Sequence, residues 1–117
     1  MAFTKKARTF ARPSNQRRAL IRSLARSLVL EERISTTEAK AKALRPFVER
    51  LVTYAKKNTL ASRRLTKTRL GDDEAVKKLF DSIGPRYATR EGGYTRVVKR
   101  TTRGKNDARK LAYIAFV

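Results

Sequence analysis

The chain has 117 residues, of which 30 are Lys or Arg and 10 are Asp or Glu, so its formal net charge at pH 7 is +20. It contains no Cys and no His, which excludes a disulfide framework, a Cys/His zinc site and catalysis that depends on either residue. No apolar run approaches the roughly 18 residues that a membrane-spanning helix needs. Length and charge together favour one domain that binds a polyanion.

Residues 1–13 show no hydrophobic period, and Pro13 closes this segment. The segment carries basic residues and no acid, which predicts an extended basic arm on a single domain formed by residues 14–117. The candidate binding residues of the arm are Lys5, Lys6, Arg8 and Arg12.

The first helix is predicted over 14–31, where Leu20, Leu24 and Leu28 recur at every fourth position. Such residues share one side of a helix, and three arginines at the same spacing fall on the opposite side as a stripe. Arginine binds phosphate oxygens in a bidentate manner, and the polar residues near the helix start can donate to phosphate or to a 2′-hydroxyl. The candidate binding residues here are Ser14, Asn15, Gln16, Arg17, Arg18, Arg22 and Arg26.

Residues 33–36 are short and β-branched, which predicts a strand. Ser35 followed by Glu38 matches a capping box, and Thr36 and Thr37 are further cap candidates. A long helix is therefore predicted over about 38–57.

Within this long helix, apolar residues recur at helical spacing from residue 44 to residue 55, which indicates a side that faces the core. Pro46 lies inside the period, and the unbroken pattern favours a kinked helix over one that restarts at the proline. The candidate binding residues near its amino-terminal half are Lys40, Lys42 and Arg45.

Two shorter helices are predicted next. The first spans about 60–69, with Asn58 or Thr59 as its cap and Gly71 at its end. The second begins at the acidic pair 72–73 and is predicted to stop at Gly84, which precedes a proline. The candidate binding residues of the first are Arg63 and Arg64.

The carboxyl-terminal part changes in character. A glycine pair at 92–93 predicts a joint or tight turn, followed by a strand over 94–100, a loop at 104–107 and a second strand over 111–117. The last strand is apolar enough to be buried on both faces, and we expect it to pair with the strand near Ile34 beneath the long helix. The fold class is therefore α+β, with several helices packed on a small mixed β-sheet that ends in a C-terminal hairpin. Further candidate binding residues are Arg86, Arg90, Arg96, Lys99 and Arg103.

Chemistry other than binding has little support in the sequence. There is no Walker-type phosphate loop, and the carboxylate pairs at 31–32 and 72–73 are adjacent residues whose side chains point apart in a helix. We therefore predict that the protein is not an enzyme and needs no cofactor or metal. No recognition helix with base-reading residues stands out, which favours binding to the shape and backbone of a nucleic acid.

The order of residues resembles that of bacterial large-subunit ribosomal protein seventeen from about residue 7 to residue 117. One motif of this family appears at 36–45 as TTEAKAKALR. The most specific stretch is LFDSIGPR at 79–86, followed by REGGYTR at 90–96. The chain departs from the family pattern at its first residues, at Gln16 and in the loop at 104–107.

The resemblance implies a structural component of the large ribosomal subunit that binds large-subunit ribosomal RNA and supports translation. It also implies a place near the exit of the peptide tunnel, with large-subunit proteins thirty-two, twenty-two and three as neighbours. The expected location is the cytoplasmic ribosome, with an organellar ribosome left open, and no membrane or small-molecule substrate is expected.

Two other functions remain as alternatives. An architectural DNA-binding protein would form a symmetric dimer and insert an apolar wedge into a duplex, which a monomeric domain with a long basic arm does not favour. A membrane-active amphipathic helix at 14–31 is disfavoured because the apolar patterns at 44–55 and 76–83 require a folded core.

Overall fold

The computed structural model describes residues 14–103 and 110–117, with side chains at 14–100 and 110–117. The predicted arm, with Lys5, Lys6, Arg8 and Arg12, therefore lies outside the described residues, as do the predicted loop and the side chain of Arg103. In chain order the elements are α1 (Ser14–Glu31), β1 (Arg33–Thr37), α2 (Glu38–Lys57), α3 (Leu60–Leu70), α4 (Asp73–Lys78), a π-helical turn (Leu79–Ile83), α5 (Gly84–Arg86), β2 (Thr95–Arg103) and β3 (Lys110–Phe116).

The strands form one three-stranded sheet in the order β1-β3-β2, and the helices pack on it, which confirms the α+β class. The last strand pairs with β1 as predicted, so that Ile34 lies opposite Ile114. Both ladders are antiparallel, whereas a mixed sheet was expected. The apolar pattern of a strand identifies its faces but not its direction, so this feature could not be read from residues alone.

Helix α2 covers one face of the sheet. Ala112 and Ile114 of β3 are buried beneath it, whereas Tyr113 and Ala115, which point to the other face, are half-exposed. The prediction that β3 is buried on both faces is therefore wrong. The described helices supply cover on one side only, as is common for antiparallel sheets.

Helix α2 begins at Thr37, whose hydroxyl accepts from the backbone N–H of Lys40 at 3.3 Å. The capping box expected from Ser35 and Glu38 does not form, and Glu38 pairs with Lys42 instead. The helix runs through Pro46 without restarting, as the unbroken apolar period indicated. Its buried residues are Ala41, Leu44, Val48, Leu51, Val52 and Ala55.

Helix α3 has the predicted ends. The hydroxyls of Thr59 and Ser62 each accept from the other residue's backbone N–H, which forms a capping box. Gly71 ends the helix with a left-handed φ of +74°, and the Asp72 side chain then caps α4 by accepting from Glu74 N at 3.2 Å. The signals here are local in sequence, which is why they were visible.

The predicted helix stop at Gly84 is wrong. The helical path continues through the π-helical turn, in which the N–H of Gly84 donates to the carbonyl of Leu79, and through α5 to Arg86. A Cβ added at Gly84 would lie 3.0 Å from the Ala55 Cβ and 3.1 Å from its carbonyl oxygen. The glycine therefore serves the close contact between α2 and this turn, a packing role that a sequence pattern does not distinguish from a C-cap.

Helix α1 has its predicted bounds, but its buried side differs from the predicted one. Ala25, Leu28 and Val29 are fully buried, whereas Leu20 remains partly exposed. The helix is thus rotated about its axis toward its arginines. The rotation brings Arg22 toward α3, so the predicted stripe does not lie wholly opposite the core.

Candidate nucleic-acid interface

A groove of about 430 Å³ lies between α1 and α3. Its apolar residues, Ile21 and Phe47, are half-buried and pack against the core, while its arginines surround them. None of its lining residues is acidic. We name it the α1–α3 groove, and it is lined by Ser14, Arg17, Arg18, Ile21, Arg22, Phe47, Thr68 and Arg69.

Arg22 fixes one wall of this groove. Its Nε donates to the carbonyl of Arg69 at 3.1 Å, and its Nη2 lies 3.5 Å from the carbonyl of Thr68. Both carbonyls belong to the last turn of α3, where the helix dipole places partial negative charge. The arginine therefore offsets the partial negative charge that these carbonyls present to the groove.

The stem of Arg22 also lies close to the end of α3. A Cβ added at Gly71 would lie 3.3 Å from the Arg22 Cδ. Because Gly71 already has a positive φ, a side chain there would strain the backbone and crowd the arginine. Arg22 is thus positioned both by its hydrogen bonds and by its packing.

The other predicted residues of α1 differ in how close they lie to the groove. Arg18 and Arg26 are exposed and make no hydrogen bond or ion pair with any described residue. Asn15 borders a smaller hollow of about 190 Å³ together with Arg18, while Ser14 lines the groove itself. Gln16 is exposed and lines neither, and Arg26 lies two turns along the helix from Arg18.

A second set of predicted residues is already paired with carboxylates. Glu38 contacts Lys42 at 2.8 Å and Lys99 at 3.6 Å. Glu49 contacts Arg45 at 3.4 Å and accepts from the hydroxyl of Thr95 at 2.9 Å. Glu38 thus joins α2 to β2 near the helix start, and Glu49 joins the middle of α2 to the start of β2.

Glu32, in the joint between α1 and β1, forms an ion pair with Arg86 and lies 3.4 Å from the Nζ of Lys78. The hydrogen bond from Arg86 lowers the pKa of the Glu32 carboxyl, although partial burial opposes this, and Lys78 lowers it further. The pKa of Glu38 is lowered in the same way by Lys42. We call Glu32, Glu38 and Glu49 the paired glutamates.

Arg90 holds a turn. Its Nε donates to the carbonyl of Gly92 at 3.3 Å, and its own carbonyl accepts from the Lys56 ammonium. Lys56 also donates to the hydroxyl of Tyr94 at 2.9 Å, which lowers the pKa of that phenol. Both glycines at 92–93 have positive φ, so this segment is the tight turn that was one of two expectations for it.

The remaining predicted residues lie on other surfaces. The Arg63 guanidinium lies 5.2 Å from the centre of the Phe80 ring, at the contact between α3 and the π-helical turn. Arg64 and Arg96 are exposed and make no hydrogen bond or ion pair with a described residue, and Lys40 is half-exposed near the start of α2. The predicted residues thus fall on several surfaces, of which the α1–α3 groove brings together the most.

Comparison with known proteins identifies the family. The model of the family described as Ribosomal protein L17 matches residues 20–117. The chain belongs to the ribosomal protein L17 family. This confirms the resemblance that the motifs at 79–86 and 90–96 carried.

Several relatives match this chain over nearly its whole length. A protein of Hydrogenobaculum named "Large ribosomal subunit protein bL17" is 56% identical over 112 residues, which cover 96% of this chain and 95% of the relative. Proteins of the same name from Thermomicrobium roseum and Fusobacterium nucleatum are 50% and 45% identical, with at least 99% of both chains covered in each case. These are proteins of the ribosome and not enzymes, in agreement with the predicted lack of catalysis.

Some residues of this L17-family chain were not singled out from the sequence. Thr68 and Arg69 line the groove from α3, although only residues at the other end of that helix were predicted. Arg33 and Arg100 lie on the uncovered face of the sheet with Tyr113. The alternation of side chains along the strands was the available signal for these last residues.

The described residues hold no group of three or more His, Cys, Asp or Glu side chains that could bind a metal ion. Among the helices in the same part of the chain, none is long and apolar enough to cross a membrane.

Proposed function

We propose that the protein is a structural constituent of the large ribosomal subunit, and that it binds large-subunit ribosomal RNA through the α1–α3 groove. The observation that carries this proposal is the groove itself, which has arginines on its walls, an apolar base and no acidic lining residue. The names of the relatives and the +20 net charge support it further.

The groove suits a nucleotide better than a bare phosphate. The guanidinium of Arg18 is exposed and able to bind phosphate oxygens, and Arg22 and Arg69 add positive charge nearby. Ile21 and Phe47 offer an apolar surface against which an unstacked base can lie. Recognition of this kind depends on RNA shape and on unpaired nucleotides, as the absence of a base-reading helix predicted.

We further propose a position near the exit of the peptide tunnel, with large-subunit proteins thirty-two, twenty-two and three as neighbours, in a cytoplasmic ribosome. Resemblance to the family supports this position. The polar contacts of α1 with RNA would then anchor one side of the domain and leave other surfaces for protein neighbours.

The experiment that tests the function compares two probes at matched length. One is a transcript of structured large-subunit ribosomal RNA, and the other is duplex DNA. We expect the protein to prefer the RNA, and the preference should persist as salt is raised and non-specific phosphate binding weakens. Equal affinity for both probes at raised salt would overturn the proposal and favour an architectural DNA-binding protein.

A further inference from the structure

The uncovered face of the sheet has an unusual composition. In β3 the side chains that point away from the helices alternate with the buried Ala112 and Ile114, and the register places residues of β1 and β2 beside them on the same face. Four of them carry positive charge or an aromatic ring, and none carries a carboxylate. We call this surface the open sheet face, and its residues are Arg33, Ser35, Tyr113, Ala115, Arg96, Val98 and Arg100.

Tyr113 stands at the centre of this face, on the middle strand. The guanidinium carbon of Arg33 lies 4.1 Å from the centre of its ring, on the diagonal from β1. From the other edge strand, Arg100 reaches across β3 and donates to the hydroxyl of Ser35 at 2.9 Å. Ser35 is directly opposite Tyr113 in the register, so Arg33 stacks on the ring while Arg100 is held at the strand residue beside it.

Among the described residues, this arrangement concentrates positive charge on a face that carries no carboxylate. Arg96 is also on this face, exposed, and makes no hydrogen bond or ion pair with a described residue. Val98 beside it is 39% exposed, although it is a large aliphatic residue in the middle of a strand. Like charges on one face repel each other, and an anion bound between them would reduce the repulsion.

The anion that fits is one with flat apolar parts. An aromatic ring with a guanidinium group over it is the kind of surface on which nucleic-acid bases stack, and Val98, opposite Tyr113 on β2, extends its apolar area. The ring belongs to the central strand and is half-buried, so a paired base inside a duplex cannot reach it. An acidic peptide would neutralise the arginines of this face but would not use the stacking surface.

We propose that the open sheet face binds an unpaired segment of RNA, with a base stacked on the Arg33 and Tyr113 pair and with phosphates bound by Arg96 and Arg100. The proposal rests on the proposed function in one respect, that the ligand is RNA. It adds a second contact surface, on the opposite side of the sheet from α2, that binds an unpaired strand.

The test uses two labelled probes, a 12-nucleotide oligoadenylate and an RNA duplex of 12 base pairs. Tyr113→Ser should weaken binding of the single strand roughly tenfold, because one stacked base is lost, and should leave duplex binding unchanged. Tyr113→Phe keeps the ring and should bind as the wild type does. Arg18→Gln with Arg26→Gln is the matched control, and it should weaken binding of both probes.

The outcomes separate this proposal from the proposed function. If the wild type binds neither probe, RNA binding itself fails. If it binds both and Tyr113→Ser binds the single strand as well as the wild type does, the open sheet face is not an RNA site. Thermal unfolding shows whether Tyr113→Ser folds, and if it does not, the exposed variant Arg96→Gln takes its place with the same expected selectivity for the single strand. A 12-residue oligoglutamate peptide that binds the wild type as tightly as oligoadenylate, and loses affinity equally in Tyr113→Ser, would also overturn the proposal and indicate a protein partner.

Discussion

Helix α1, which lines the α1–α3 groove, and the region of the paired glutamates contain the same kinds of basic residue in different surroundings. Arg45 and Arg86 each lie within an ion-pair distance of a glutamate, while Arg18 and Arg26 have no such partner among the described residues. A count of positive charges treats these regions alike. The difference shows that binding capacity depends on which charges remain uncompensated after folding.

The paired glutamates have a structural explanation. Each joins elements that are distant in sequence, as when Glu32 in the α1–β1 joint contacts Arg86 of α5. Partly exposed ion pairs of this kind contribute only about 0–1 kcal/mol each, but they fix the geometry of the side chains involved. A Lys or Arg side chain held in this way must release its carboxylate partner, or share it, before it can bind a phosphate.

The largest expected effect is on RNA affinity. Arg18→Gln with Arg26→Gln should lower the affinity for structured RNA by roughly tenfold or more, because two charge-assisted contacts are lost. The slope of log affinity against log salt should shrink by roughly 2. Filter binding or fluorescence anisotropy over a salt series measures both quantities.

The matched control for this experiment is Lys42→Gln with Arg45→Gln. It also removes two positive charges, but from side chains that are paired with glutamates. Its salt slope should change by clearly less than that of the variant with Arg18→Gln and Arg26→Gln. If the two double variants show the same loss of RNA affinity and the same decrease in salt slope, pairing of a basic side chain with a glutamate does not govern binding.

The second effect is on stability, and it separates Arg22 from its neighbours on α1. Arg22→Gln loses the hydrogen bonds to the last turn of α3 and should lower the free energy of unfolding by about 1 kcal/mol. Arg18→Gln should change it by no more than a few tenths. Urea unfolding followed by circular dichroism distinguishes the two, and equal stabilities would mean that the α3 carbonyls do not need the arginine.

The third effect concerns pH. Arg86 and Lys78 lower the pKa of Glu32 below its ordinary value of 4.5, so its contribution to stability is present above that value and is lost as pH falls through the lowered pKa. Wild type should therefore lose more unfolding free energy between about pH 5 and pH 3 than Glu32→Gln, by roughly 0.5 kcal/mol. Parallel pH profiles would show that this ion pair adds nothing to stability.

How much was visible in the sequence differs between these regions. The bounds of α2 and α3 follow from apolar periods and from caps at Thr59 and Gly71, which are local signals. The pairing of Glu32 with Arg86 joins residues far apart in the chain, so nothing in the sequence pattern marks it. For this reason Arg86 was predicted as a binding residue without its partner.

The groove was only half predictable for a related reason. The arginines of α1 were visible, but the helix orientation depends on small buried residues, Ala25 and Val29, that count for little in a pattern built on leucines. The π-helical turn was also hidden, since Gly84 reads as a stop signal and its contact with Ala55 is tertiary. In both cases local propensity is compatible with more than one structure, and tertiary packing determines which one forms.

The smallest effect is the response of the free protein to salt. The like charges of Arg18, Arg22 and Arg26 at four-residue spacing cost a few tenths of a kcal/mol per pair, and salt screens them. The melting temperature should rise with added NaCl, and sulfate should raise it more than chloride at equal ionic strength.

The same measurement sharpens the comparison between the two regions. The rise with salt should be smaller in Arg18→Gln with Arg26→Gln than in Lys42→Gln with Arg45→Gln, because only the first variant removes unpaired charge. Scanning calorimetry at matched protein concentration measures it. A melting temperature that falls with salt in the wild type would contradict the repulsion on which the comparison depends.

The position of β3 has a consequence for the order of folding. Of the three strands in the described residues it is the last in sequence but the central one in the sheet, so β1 and β2 have no partner among these strands before β3 has been synthesised. Helices form from local contacts, whereas the pairing of Ile34 with Ile114 must wait for a distant segment. During synthesis the α1–α3 groove can therefore form first, whereas the open sheet face forms only after β3 has paired with β1 and β2.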